Sequence, residues 1–180
     1  LDDVVAAQPV TLVSAASGYG KTALLSDWAR KATTPVAWLT LNSRMGAGDL
    51  GFLGSMISAL HHIAPACDAQ RAEVLSGLAV DPRGVDATVE HIAVRCAALT
   101  TPVTLVIDQA GLAGPDLARG PLRILAEHCP GQFRFVLAGE PALAEWFNGM
   151  LATGRARYIG SGQLALTVDE IENELSKPGG

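Results

Sequence analysis

Eight residues near the start of the chain, Ala15-Ala16-Ser17-Gly18-Tyr19-Gly20-Lys21-Thr22, constrain it more than any other stretch. The apolar run Val10-Thr11-Leu12-Val13 before them reads as a buried strand. Thr22 to Arg30 after them reads as a helix with apolar spacing i, i+3, i+4. A strand that turns through glycines into a helix N-terminus aims successive backbone N–H groups at one place, and that place suits anionic phosphate oxygens. In the G-x-x-x-x-G-K-[ST] pattern, Lys21 reaches the β- and γ-phosphates and the Thr22 hydroxyl ligates Mg²⁺. Ala15 stands where the first glycine is expected, a departure of one methyl group.

A rival pattern overlaps these residues. Gly18-Tyr19-Gly20-Lys21-Thr22-Ala23 fits a relaxed G-x-G-x-x-[GA] dinucleotide fingerprint. That reading requires an acidic residue about 20 positions on, at the end of the second strand, to hold a ribose. The second strand, Val36-Ala37-Trp38-Leu39-Thr40-Leu41, runs instead into Asn42-Ser43-Arg44. The fingerprint therefore fails and the phosphate loop stands.

The rest of the chain alternates strands with helices, the signature of a parallel sheet covered on both faces. A helix is expected from Asp49, as N-cap, through Ile63, after the loop Gly46-Ala47-Gly48 and closed by Pro65. Residues 68–79 and 86–99 read as helices separated by Asp81-Pro82-Arg83-Gly84. Val103-Thr104-Leu105-Val106-Ile107 is a continuous, largely β-branched run of the kind buried on both faces. A helix near Asp116–His128, broken at Gly120-Pro121, precedes the strand Phe133–Leu137. Pro141 can open a helix running to about Leu151. A short strand at Tyr158-Ile159 then leads to Thr167-Val168-Asp169-Glu170, a capping box for a last helix.

A chain of 180 residues supports one α/β domain, here spanning residues 1–180. It is 49% hydrophobic, yet no apolar run reaches membrane-spanning length. The opening Leu1-Asp2-Asp3 has no basic signal region and no Met, so the expectation is a piece of a longer cytoplasmic protein. Cys67, Cys96 and Cys129 are widely spaced and match no ligand pattern, which reads as buried thiols in a reducing compartment. With a net charge of −5 and no Lys/Arg cluster, the segment is not expected to bind nucleic acid by itself.

The third strand brings a second piece of phosphate chemistry. Asp108 ends it, where a carboxylate downstream of a phosphate loop holds Mg²⁺ through water. Gln109 follows, at a position often occupied by an acid that polarises the attacking water. An amide orients water but takes no proton, and general-base assistance contributes typically ~10²–10⁴-fold. Binding is expected to survive better than hydrolysis.

Four segments in order resemble the N-terminal ATPase domain of MalT-type and large LuxR-type transcriptional regulators, within the STAND class of P-loop NTPases. Leu12 to Thr22 is similar to their "LVSAPAGYGKTTLL" loop, in which Ala at the first glycine position is common. Pro35 to Leu41 resembles their "PVAWLSLD" strand, Val103 to Gln109 their "LVLDD" strand, and Tyr158 to Thr167 the segment ending "LxFT". The resemblance implies a parallel sheet of order 5-1-4-3-2 and a regulatory switch that binds ATP or ADP with Mg²⁺. Residues 15–22 cradle the phosphates, Thr22 and Asp108 hold the metal (Asp108 through water), and Gln109 orients water at best. It also implies self-association in the triphosphate state and a DNA-binding helix-turn-helix elsewhere in a parent protein. Two positions depart from the family. Gln109 replaces the second acid, and Ala138-Gly139-Glu140 replaces "ASR", whose arginine contacts the γ-phosphate. The stretch before Leu1 that frames the adenine in relatives is not in this sequence. Weak or absent hydrolysis is the expectation.

Two other readings stay open. One is a degenerate scaffold that mediates protein contacts without nucleotide. The other is a small-molecule kinase, which usually carries an arginine-rich lid that is not seen here. His61-His62 is a helix-end pair whose side chains diverge by about 100°, a poor start for a metal site. Arg155 and Arg157 read as a solvated pair, with a trans-acting role on a neighbour's phosphate as the sharper option. Trp28 and Trp38 read as packing residues.

Overall fold

The computed structural model describes residues 1–42, 48–115, 120–128 and 131–164. Its elements are α1 (Asp2–Ala7), β1 (Val10–Ser14), α2 (Lys21–Lys31), β2 (Val36–Thr40), α3 (Asp49–Ile63), α4 (Ala69–Ser76) and α5 (Val85–Cys96). There follow β3 (Val103–Asp108), α6 (Pro121–His128), β4 (Phe133–Gly139), α7 (Leu143–Trp146), α8 (Asn148–Ala152), β5 (Ala156–Ile159) and α9 (Ser161–Leu164). Single 3₁₀ turns cover Ala64–Ala66 and Ala110–Ala113.

The strands form one five-stranded sheet in the order β2-β3-β4-β1-β5, which read from the other edge is 5-1-4-3-2. Every pairing is parallel. Burial follows position. All residues of β1 and β3 are buried, as two-faced coverage by helices requires, whereas the edge strand β2 alternates half-buried and buried positions and ends on the exposed Thr40. One face packs Leu12, Leu105, Phe135 and Leu137 against apolar residues of α3, α5 and α6. The other packs Val13, Val106, Val136 and Ala138 against Leu25 of α2 and Val5 of α1. Trp28 and Trp38 lie partly buried against this second cluster, so both pack as expected.

Because the strands are parallel, the C-terminal ends of β1, β3 and β4 share one rim. The chain leaves β1 for the far edge at β2 and later passes from β4 over β1 to β5. Such a reversal opens a crevice at the strand ends where α/β folds place ligands. Gly139 keeps that crevice tight, since a Cβ there would lie 2.9 Å from Leu143 Cδ2.

Several local expectations shift. Gly48, not Asp49, is the N-cap of α3, with φ 142°, and Asp49 sits in the first turn without a side-chain cap. Pro65 lies in the 3₁₀ turn that ends α3. The helix expected from Pro141 is two short pieces, α7 and α8, which start later and break at Phe147. Phe147 is 1% exposed, so the break drives its ring into the core. The helix α1 was not anticipated; six residues carry too little periodicity. The helix expected from 68 ends at Ser76 and is capped by the Asp68 carboxylate, which accepts the Arg71 N–H at 3.0 Å. Cys96 is buried, and Cys67 is half-buried with its thiol pKa raised by desolvation. Ser43, Arg44, Gly46, Ala47, Asp116, Cys129 and the capping box Thr167–Glu170 lie outside the described residues.

Candidate phosphate-binding site

The loop between β1 and α2 needs two left-handed residues to turn a strand into a helix within six positions. Gly18 (φ 85°) and Gly20 (φ 73°) supply them, and Gly20 is the N-cap of α2. The first N–H groups of a helix have no intrahelical partner. Those of α2 belong to Lys21, Thr22 and Ala23, which line a cavity of about 750 Å³ together with Ser17, Gly18 and Gly20. The loop base is fixed to the sheet, since the Ala15 N–H donates to the Gly139 carbonyl at 3.3 Å.

Lys21 Nζ donates to the carbonyls of Ala15 (2.7 Å) and Ala16 (2.8 Å). The ammonium therefore sits over the loop itself, and its three donors and long stem leave it able to reach an anion in the cavity. Thr22 Oγ1 donates to Asp108 Oδ2 at 3.0 Å across 86 residues of sequence. The second oxygen, Oδ1, accepts the Gln109 N–H at 2.9 Å. Asp108 is 4% exposed, and these two donors stabilise its buried charge. A hydroxyl and a carboxylate meeting at the mouth of a phosphate loop form the hard-oxygen donor set that Mg²⁺ prefers. The residues present fit that ion.

The sequence-predicted residues divide by location. Ser17, Gly18, Gly20, Lys21, Thr22, Asp108 and Gln109 all line the cavity. Ala15, Ala16 and Tyr19 do not line it. The first two act through the carbonyls that hold Lys21, and Tyr19 is 55% exposed. Glu140 lines the same cavity and is exposed. Sequence reasoning missed the apolar wall of Leu112, Leu143 and Trp146. Nothing in the spacing says that the chain after β4 folds back over the rim.

The other candidates fall away from this rim. Arg157 pairs in register with Thr11, and Arg155 precedes Ala156, the partner of Val10. Both thus lie toward the start of β1, with Arg155 more than about 13 Å of strand from the loop, and Arg155 donates to the Glu127 carbonyl at 3.4 Å. Within one chain they cannot serve the loop. His61 Nε2 lies 2.9 Å from the Leu78 carbonyl, whereas His62 lines a separate groove between β2 and α3. Among the described residues no three His, Cys, Asp or Glu side chains form a metal-binding group, and no helix is long and apolar enough to cross a membrane.

The sheet order, the loop at the end of β1 and the carboxylate at the end of β3 together define the P-loop NTPase fold. Comparison with solved structures agrees with this. A chain from a structure of Drosophila ORC bound to AT-rich DNA and Cdc6 superposes with a TM-score of 0.57 at 14% identity, over 98% of this chain and 59% of that one. A chain from Drosophila ORC bound to DNA gives 0.54 at 16% identity, over 94% and 89%. One bound to GC-rich DNA and Cdc6 gives 0.56 at 13%, over 99% and 61%. At such identities the likeness is one of fold. The present chain spans about three fifths of the first of these. Neither family models nor curated proteins match the sequence.

Proposed function

We propose that this chain is an adenine-nucleotide-binding regulatory domain of the STAND type, from a LuxR-type transcriptional regulator, with slow ATP turnover. The observation that carries the binding reading is that Lys21, Thr22 and Asp108 line one cavity, with Thr22 bonded to Asp108 at 3.0 Å and Lys21 held on the carbonyls of Ala15 and Ala16 at 2.7 and 2.8 Å. The regulator assignment rests on the ordered resemblance of the loop, the second and third strands and the closing segment. Residues 15–22 wrap the phosphates, with Lys21 on the β- and γ-phosphates. Thr22 and Asp108 hold Mg²⁺, Asp108 through water. The ion, when bound, neutralises phosphate charge.

In this reading the domain occupies residues 1–180 of a longer protein. DNA binding, inducer sensing and self-association belong to that parent. Glu140 places a carboxylate on the γ-phosphate side, so ADP binds at least as tightly as ATP. The second reading, a scaffold without nucleotide, draws on Ala15, Gln109 and Glu140 alone. Calorimetric titration of the 180-residue chain with ADP and ATP, with and without Mg²⁺, separates the two. Saturable binding strengthened by Mg²⁺ supports the switch. No heat at millimolar nucleotide would leave the scaffold.

A further inference from the structure

The cavity contains a carboxylate that phosphate binding does not use. Glu140 follows the last residue of β4, the strand that lies between β1 and β3. The register sets Ser14 beside Gly139 and Ile107 beside Leu137. Extended by two residues, it puts Gln109 level with Gly139. Neighbouring strands are about 4.8 Å apart, so Glu140 stands one residue beyond both the loop base and Gln109. Its carboxylate is exposed and makes no hydrogen bond or ion pair with any described residue, while its backbone carbonyl accepts the Leu143 N–H at 3.0 Å. Asp108, by contrast, is buried with both oxygens engaged.

Gln109 supplies the second observation. With φ 57° it is the one non-glycine left-handed residue among those described, at a cost of about 1–2 kcal/mol. Its N–H is fixed on Asp108, and the residue lines the same cavity as Glu140. Backbone strain of this kind collects at functional sites.

We infer that Glu140 is the general base of this domain, acting with Gln109, which orients the water. The inference rests on the nucleotide-binding reading above. Water oxygen attacks the γ-phosphorus while its proton passes to the Glu140 carboxylate. The bond from the γ-phosphorus to the β–γ bridging oxygen breaks, and its electron pair stays on ADP. The proton then leaves Glu140 with inorganic phosphate. The carboxylate that serves this step also repels the bound γ-phosphate, so one residue weakens ATP binding and enables turnover.

The test compares wild type, Glu140→Gln and Glu140→Asp. Single-turnover phosphate release is measured beside calorimetry with ADP and with a non-hydrolysable β,γ-imido ATP analogue. Glu140→Gln is expected to slow phosphate release about 100-fold, within the range of general-base assistance. It should tighten the analogue severalfold and leave ADP unchanged, while Glu140→Asp retains part of the rate. Because Glu140 is exposed, its replacement spares the core, which a thermal melt verifies. Wild-type turnover in Glu140→Gln overturns the inference, as does unchanged analogue affinity. Wild-type protein that binds nucleotide yet releases no phosphate above background also overturns it and leaves the binding reading intact. Failure of wild type to bind any nucleotide removes that reading itself.

Discussion

The loop after β1 and the rim made by the ends of β3 and β4 face one cavity but are built differently. On the loop side, the glycines turn the chain, Lys21 is held on two loop carbonyls, and Thr22 reaches Asp108. Each feature there suits an anion. On the opposite rim, a strained glutamine and an unpaired glutamate stand where an acid and an arginine occur in the family that the sequence resembles. In the proposed reading, phosphate capture and phosphate cleavage are separately encoded in this fold. The first requires backbone geometry and one cation; the second depends on two side chains at strand ends.

The largest expected effect breaks the loop side. Lys21→Ala removes the charged donor, and hydrogen bonds to charged groups contribute about 1.5–3 kcal/mol. ADP affinity should fall by roughly 10- to 150-fold, read by calorimetry. Equal binding by wild type and variant would sink the assignment of the loop.

A smaller effect is expected where the two sides meet. Asp108→Asn keeps an acceptor for the Thr22 hydroxyl and loses the charge. Disturbing a group behind a metal ligand typically costs about 10–100-fold in metal affinity. Nucleotide affinity in Mg²⁺ should therefore drop about tenfold, with little change in a chelator. A drop of the same size in both conditions would show that Asp108 acts through the fold and not through the metal.

Much of the loop side was legible because it is local. Eight consecutive residues, a β-branched run before them and a helical pattern after them specify it without tertiary information. Asp108 was legible for the same reason, as the polar end of an apolar strand. The strand order was not legible from spacing and came from the resemblance, because register between distant strands leaves no mark in a single sequence. The apolar wall of Leu112, Leu143 and Trp146 was missed outright. It brings Leu112, in the 3₁₀ turn after β3, together with Leu143 and Trp146 on α7 after β4, a meeting of two strand ends that leaves no mark in local spacing. Arg155 and Arg157 illustrate the converse. Their charge invited a phosphate role, and the parallel register of β5 with β1 carries them toward the other end of the sheet.

The rim can be sharpened by a change in stability. Gln109→Gly removes the left-handed penalty of about 1–2 kcal/mol, part of which glycine's greater unfolded-state freedom takes back. A net gain of about 1 kcal/mol should raise the melting temperature by about 2–4 °C in a chain of this size. Phosphate release should fall in the same variant, since the amide that orients water is gone. Lower stability would mean that Gln109 makes a side-chain interaction strong enough to offset its backbone strain.

The smallest expected effect is none. A ligand shifts a conformational equilibrium only by its differential affinity for the two states. Driving a population from 1:99 to 99:1 requires about 5.5 kcal/mol of such difference. In the proposed reading the γ-phosphate would meet Glu140, and Lys21, the one cation among the described cavity residues, would also serve the β-phosphate. ATP and ADP then differ little in what they can stabilise. Sedimentation velocity of the wild-type chain should give the same monomer in saturating ADP and in saturating ATP. Glu140→Arg, which restores a cation at that position, is the substitution expected to create an ATP-specific shift. ATP-dependent dimers of the unmodified chain would show that a second copy contributes the γ-phosphate contact. Arg155 and Arg157, remote from the loop of their own chain, are then the first residues to replace.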